Sequence, residues 1–245
     1  MQIIIEKDYE AMSRRTADVI VDTIINNPSA TLCLAAGDTP RLAYSLAAKR
    51  INSEQIDVTS CKFVSLDEWI GISDNNDGSC GYFLRTVLFD PLRITNQQVH
   101  VFDGLANNLL AECGAMDEFI FNNGGIDLIV VGIGRNGHVG FNEPGVSFDH
   151  YSHVVELDAT TKTVGQKYFR ETTALNQGIT LGLKHLLESR QAVLIANGTA
   201  KAEVIHLSLD EEISTAMPAS IIQNHQNALV IVDEEAASLL KTRRS

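Results

Sequence analysis

Long apolar runs are missing from this 245-residue chain. Their absence excludes a membrane-spanning helix, which needs about 20 consecutive apolar residues. The amino terminus, MQIIIEKDYEAMSRR, has no basic start, no long apolar core and no small-residue cleavage site, so it does not read as a secretory signal. Cysteine is scarce. Cys33, Cys61, Cys80 and Cys113 are scattered without a CxxC pair or metal-ligand spacing, which predicts reduced thiols in the cytoplasm and no metal site. Cys33 and Cys61 fall inside strand-like runs and read as small core residues. Basic residues are also in deficit. With 19 Lys+Arg against 31 Asp+Glu, a formal net charge of −12, the chain lacks the footprint of a nucleic-acid binder. It can still hold an anion, because a small site responds to a few local cations and to helix N-termini. No internal repeat, linker or low-complexity tract divides the chain.

What is present is alternation. Strand-like runs at 3–5, 31–35, 61–66, 100–102, 126–131, 153–157, 192–196 and 228–233 are separated by helical patterns. Those patterns cover 8–26, a helix opening on Pro40 and running through Lys49, 82–89 stopped by Pro91, 105–121 closed by Asn122-Asn123-Gly124-Gly125, 158–170, a short helix to Ser189, one opened by Asn197-Gly198-Thr199-Ala200-Lys201, a short one opened by Pro218, and 234–240. The alternation predicts an α/β fold: a single domain over 1–245, Rossmann-like, with an open, mostly parallel sheet and helices on both faces. The tail from Lys241 to Ser245 is expected to fray.

Chemistry concentrates at the ends of these strands. The β-branched run Ile126 to Val131 empties into Gly132, Gly134, Gly137 and Gly140, interleaved with Arg135, Asn136, His138, Asn142 and Glu143, and stops at Pro144. Open α/β sheets place ligands there, beyond the carboxyl ends of their strands; the bland reading is a connecting loop with ordinary turn residues. Ala36-Gly37-Asp38-Thr39-Pro40 joins a strand to a helix in the manner of a phosphate cradle, and reads equally as an ordinary helix start capped by Asp38 or Thr39. Asp67-Glu68 ends a buried run, where acids are costly unless solvated or paired; either a catalytic carboxylate or a strand-end cap accounts for them. Residues 73–79, SDNNDGS, form a polar loop suited to a lid. Lys201 opposes the helix dipole in a first turn, which suits an anion nearby or a solvated surface lysine. Gly132 to Gly137 has the letters GxGxxG, but no helix follows directly, so a dinucleotide site is not expected.

Together these pieces resemble the glucosamine-6-phosphate deaminase family, which belongs with the sugar-phosphate isomerases. The resemblance runs along nearly the whole chain. It is sharpest in Leu66-Asp67-Glu68-Trp69, in Gly134-Arg135-Asn136-Gly137-His138 through Phe141-Asn142-Glu143-Pro144, and in Gly198-Thr199-Ala200-Lys201. The related 6-phosphogluconolactonases share the fold and a glycine-histidine loop but lack the Asn-Glu-Pro ending. A sugar-binding effector module of the repressor type can keep the phosphate loop while losing catalytic residues; here Asp67, His138 and Glu143 are all present.

The resemblance implies a cytoplasmic enzyme with no cofactor, acting on a small-molecule amino-sugar phosphate, without nucleic-acid or membrane partners, as a monomer or a homo-oligomer. It implies Asp67 as the base moving a proton between C2 and C1, His138 as the group that opens the pyranose ring, and Glu143 and Asn136 as its supports. Gly37, Asp38, Thr39, Lys201 and Lys167 would meet the phosphate, and Ala36 and Gly137 the sugar. Four departures from the family pattern matter. Lys167 replaces a more usual arginine, a point charge for a bidentate fork. Asn136 replaces an acid found in some members, which passes more of the orienting role to Glu143. Asp38 stands where Gly or Ser is usual, and is expected to turn away and cap the helix. Trp69 stands where a Tyr is usual and, with 178–183 and 214–220, resembles a galactosamine-6-phosphate branch, so the C4 epimer is an alternative substrate. Residues 146–155, VSFDHYSHVV, contain no Lys or Arg. The effector N-acetylglucosamine 6-phosphate, bound there by allosteric members, would lack its cations.

Overall fold

The structure, a computed structural model, describes residues 1–241. The expected fraying at 242–245 lies outside them. In chain order the elements are β1 (Gln2–Glu6), α1 (Tyr9–Asn26), β2 (Thr31–Leu34), α2 (Asp38–Glu54), β3 (Lys62–Ser65), β4 (Asp67–Trp69), α3 (Cys80–Leu84), α4 (Asp90–Leu92), β5 (Val99–His100), α5 (Leu109–Asn122), β6 (Leu128–Val131), β7 (His153–Glu156), α6 (Ala159–Gly165), β8 (Gln177–Thr180), α7 (Leu183–Glu188), β9 (Gln191–Ala196), α8 (Ala202–Asp210) and β10 (Ala228–Asp233).

Seven strands form one parallel sheet in the order β1-β10-β9-β6-β2-β3-β5. Alternate side chains of each strand enter opposite layers, as the pleat demands. Leu32, Leu34, Leu128, Val130, Val193 and Ile195 pack under α1, α2 and the 83–92 segment. Cys33, Ile129, Val131, Ala192 and Leu194 pack under α5, α7 and α8. Burial on both faces is why β2 and β6 read as continuous apolar runs.

The order reverses between β2 and β6. From β2 the chain builds outward through β3 and β5; from β6 it builds the other way through β9 and β10, beside which the first strand, β1, forms the edge. The loops leaving β2 and β6 therefore diverge and leave a crevice at the carboxyl edge, the usual ligand position in such sheets.

A second sheet was not foreseen. β4, β8 and β7 pair antiparallel in that order, with Asp67 opposite Thr180 and Thr180 opposite His153. The chain passes from β3 to β4 across the single residue Leu66, whose carbonyl accepts from Leu181 N at 2.8 Å. This change of sheet puts Asp67 at the corner.

Smaller differences have local causes. Residues 234–239 are turns rather than a helix, and Asp233 before them accepts from Ala236 N (2.8 Å) and Gly198 N (3.0 Å). Pro91 does not stop its helix. A π-turn at Arg85–Phe89 carries the chain into α4, which ends at left-handed Arg93. Helix α5 starts at Leu109, where Asn108 caps Ala111 N at 3.1 Å, and α2 runs on to Glu54.

Gly182 precedes α7, and a Cβ there would collide with the carbonyl oxygens of His150 and Tyr151, whereas a Cβ at Gly114 in α5 meets nothing within 4 Å. In urea unfolding, Gly182→Ala is expected to lose about 2 kcal/mol or more. Gly114→Ala is expected to gain about 0.5–1 kcal/mol.

Candidate active site

One cavity of about 500 Å³ occupies the crevice between β2 and β6. Its floor begins at the β2–α2 loop. Gly37 takes φ +134, which a side chain would resist, and stands as N-cap of α2 without any side-chain cap. Among the described residues no protein acceptor meets the N–H groups of Gly37, Asp38 or Thr39. A 17-residue helix thus presents its positive end and bare donors to the cavity. The expected side-chain cap is absent. Asp38 instead reaches across to Lys167 Nζ at 2.7 Å, and the Thr39 hydroxyl donates to Asn197 Oδ1 at 3.0 Å.

Lys201 follows β9 through a 3-10 turn and donates to the Ile133 carbonyl at 2.5 Å. Burial, with the charges of Lys167 and Arg135 nearby, lowers its pKa to about 8. Burial also opposes the charge on Lys167, but the hydrogen bond and charge of Asp38 together with Tyr168 outweigh it and hold that ammonium above the usual lysine value.

On the opposite wall two adjacent acids are buried, with Asp67 8% and Glu68 2% exposed. Glu68 accepts from Ser79 Oγ (2.6 Å), Gly81 N (2.9 Å), Trp69 N (2.9 Å) and Cys80 N (3.1 Å). It ties the start of α3 to β4 and is the strand-end cap that the sequence left open. Asp67 has fewer partners. Desolvation raises its pKa to about 7, the Cys80 thiol opposes the rise by hydrogen bonding, and the neighbouring Glu68 charge adds to it.

The loop after β6 supplies the third wall. His138 Nδ1 lies 3.0 Å from Thr161 Oγ1 and 3.4 Å from Glu143 Oε2, and a Cβ on Gly134 would overlap the imidazole ring. Glu143 is buried. Its oxygens accept from Asn136 Nδ2 at 2.9 Å and from Asp158 N at 3.1 Å, the latter at the start of α6, which carries Thr161. Burial alone would raise the Glu143 pKa; the hydrogen bond and charge of His138, with bonds from Thr161 and Asn136, reverse this and hold it low. Asn142 is a strut, donating to the carbonyls of Val139 (2.9 Å) and Leu181 (2.8 Å).

Of the residues singled out from the sequence, Ala36, Gly37, Asp38, Thr39, Asp67, His138, Lys167 and Lys201 line the cavity. Asn136 and Glu143 stand behind His138. Gly137 is not in the lining. Its φ of +85 directs its Cα face at the Met217 side chain, and its carbonyl accepts from Ala219 N at 2.9 Å. Of the 73–79 loop, expected as a lid, Asp77, Gly78 and Ser79 line the cavity; Ser79 is bonded to Glu68 at 2.6 Å, and Asp74–Arg85 (2.7 Å) and Asp77–Arg170 (2.5 Å) are exposed ion pairs. Thr161 and Cys80, which carry no motif, also line the cavity, as do Arg135 and Asn197, which the sequence places in or beside its two glycine motifs without a role. Among the described residues no group of three or more His, Cys, Asp or Glu is placed to hold a metal ion.

A buried carboxylate poised near neutrality, sharing a cavity with an anchored histidine and the uncapped N-terminus of a helix, fits an acid–base enzyme of the α/β class. The chain belongs to the family described as glucosamine-6-phosphate isomerases/6-phosphogluconolactonase, whose model matches residues 6–231. It is 37% identical to a glucosamine-6-phosphate deaminase of Clostridium perfringens over 242 residues, covering 98% of this chain and 100% of the relative. A second deaminase of that name, from Shouchella clausii, is 37% identical over 240 residues, with 98% and 97% covered. Among solved structures, a monomeric glucosamine-6-phosphate deaminase superposes with a TM-score of 0.94 at 33% identity, with 98% and 100% covered. A 6-phosphogluconolactonase from Thermotoga maritima shares the fold at TM-score 0.76 and 18% identity, with 95% and 100% covered.

The surroundings of Asp67 generate a direct test. Its carboxyl should titrate near 7 rather than near 4 in a pH series read by carboxyl-carbon NMR. Cys80→Ala should move the midpoint upward by removing the thiol donor. A midpoint near 4 would refute desolvation as the controlling influence.

Proposed function

We propose that this chain converts glucosamine 6-phosphate and water to fructose 6-phosphate and ammonia. The observation that carries the reading is the buried Asp67, raised to about 7, on the cavity whose other walls are the bare N-terminus of α2 and His138 with its Glu143 support. The phosphate rests on the Gly37, Asp38 and Thr39 N–H groups with Lys201, where charge-assisted bonds are strongest. His138 moves the proton that opens the pyranose ring, and Glu143 and Asn136 keep the imidazole oriented. Asp67 takes the proton from C2 of the open-chain aldehyde and returns it to C1, leaving a C2 imine. Water then adds at C2, the C2–N bond breaks, and ammonia leaves a ketone. No helix among the described residues is long and apolar enough to cross a membrane. The four free cysteines suit a cytoplasmic enzyme. The monomeric state of the similar solved deaminase supports a monomer here.

The galacto epimer is the second reading. Trp69, in the cavity wall with its ring 4.6 Å from that of Phe141, is the observation that favours it. A difference of one hydroxyl is decided by a few pocket hydrogen bonds.

Ammonia release from glucosamine 6-phosphate and galactosamine 6-phosphate, assayed in parallel with the ketose identified, tests the reading. Turnover of the gluco sugar supports it. Preference for the galacto sugar transfers the assignment to the second reading, and silence on both sinks it. Asp67→Asn should keep sugar-phosphate binding and lose about 10³-fold or more in kcat. Wild-type turnover should fall as pH drops through about 7, where Asp67 gains its proton, and KM should rise above about 8, where Lys201 loses its charge.

Residues 146–155 bring no lysine or arginine. Kinetics should therefore be hyperbolic and unmoved by N-acetylglucosamine 6-phosphate; a left shift of the substrate curve would contradict this.

A further inference from the structure

Four cationic side chains line the cavity: Arg41, Arg135, Lys167 and Lys201. They are not equivalent. Arg41 lies over the Phe83 ring at 4.7 Å, Arg135 makes no ion pair among the described residues, and Lys201 rests on the Ile133 carbonyl. Only Lys167 meets a carboxylate, that of Asp38 at 2.7 Å. Asp38 is also the first residue of α2, so its own backbone N–H belongs to the donor nest. Its main chain is pinned, since its carbonyl accepts from the Tyr9 hydroxyl at 3.1 Å. The backbone that carries the acid is thereby held at the cavity rim.

We propose that Asp38 is an internal competitor for the anion site, resting on the phosphate-binding part of the reading above. In the empty site its carboxylate occupies Lys167; an incoming phosphate takes Lys167 over, and Asp38 is left as a like charge beside it. The pair is suited to exchange. Its side chains are 61% and 49% exposed, and ion pairs so exposed contribute little and break cheaply. A lysine ammonium on a four-carbon stem can turn its donors from one oxygen to another, which the rigid fork of an arginine does less readily. A phosphate dianion also offers Lys167 more charge than a carboxylate does. The swap makes Asp38 a specificity-setting residue. It weakens capture of small anions that bring only charge, and it favours release of a phosphorylated product, while ligands with a sugar body recover affinity from the rest of the cavity.

The opposite role gives the opposite sign. Were Asp38 a fixed support that aims Lys167 at the phosphate, removing its charge would weaken binding. Calorimetric titration with inorganic phosphate, at fixed low ionic strength, distinguishes them in the wild type, Asp38→Asn, Lys167→Met and the double variant, each checked for an unchanged melting curve. Asp38→Asn is expected to bind inorganic phosphate about 3- to 10-fold more tightly, and Lys167→Met more weakly. The gain from Asp38→Asn should shrink when Lys167 is absent. Unchanged or weaker binding in Asp38→Asn, or no measurable binding in either protein, overturns the proposal. So does a gain of the same size without Lys167, since simple repulsion would then account for it. The titration needs no turnover, so absence of ammonia release from amino-sugar phosphates would count against the reaction alone.

Discussion

Keeping a carboxylate largely desolvated at the corner of two sheets, on the wall of a cavity, is the constraint on which the rest depends. Asp67 lies where the chain leaves the parallel sheet for the antiparallel one, and burial there penalises its charged form. The same corner holds Glu68. That second acid is tolerated because its oxygens meet three backbone N–H groups and a serine hydroxyl. The division between two neighbouring carboxylates is set by their partners. Glu68 spends its lone pairs on structure, fixing the 73–81 segment that walls the cavity. Asp67, left with the weak Cys80 thiol donor, keeps a proton affinity near neutrality.

The other walls follow from sheet topology. Because β2 and β6 are neighbours from which the chain departs in opposite directions, their loops face a common space. The β2 loop brings the start of α2 and hence an anion nest. The β6 loop brings His138. Neither loop is self-supporting. Asn142 rivets the β6 loop to the carbonyl of Leu181, just past β8, and Glu143 links it to the start of α6. Asn197, after β9, holds the Thr39 hydroxyl. Residues from six separate segments thus converge, and a shared fold leaves room for different chemistries according to which side chains those segments carry.

The main sheet was legible because its central strands are buried on both faces and so are written as unbroken apolar runs. The small sheet was not. β4 is three residues long and β8 begins Gln-Gly, patterns too short and too mixed to carry a period. The start of α5 was misplaced because a side chain sets it: Asn108 caps Ala111 N and begins the helix at Leu109. Of the site, Asp67, His138 and Lys201 stood out because charged or titratable groups in the loops that follow buried strands are conspicuous. Thr161 and Cys80 did not, being ordinary residues made relevant by what they face.

By itself the sequence determined the alternating α/β architecture, the two strand-end loops that meet at the cavity, and the residue types available for acid–base and anion chemistry, because these are local properties of burial period and side-chain kind. Only the tertiary structure decided how the acids divide their labour, that Gly137 supports rather than lines the cavity, and that Asp38 turns to Lys167 instead of capping its helix. Those outcomes rest on contacts between segments up to 129 positions apart. Chain closure over such distances is fixed by the packing of the whole core, which no local pattern encodes.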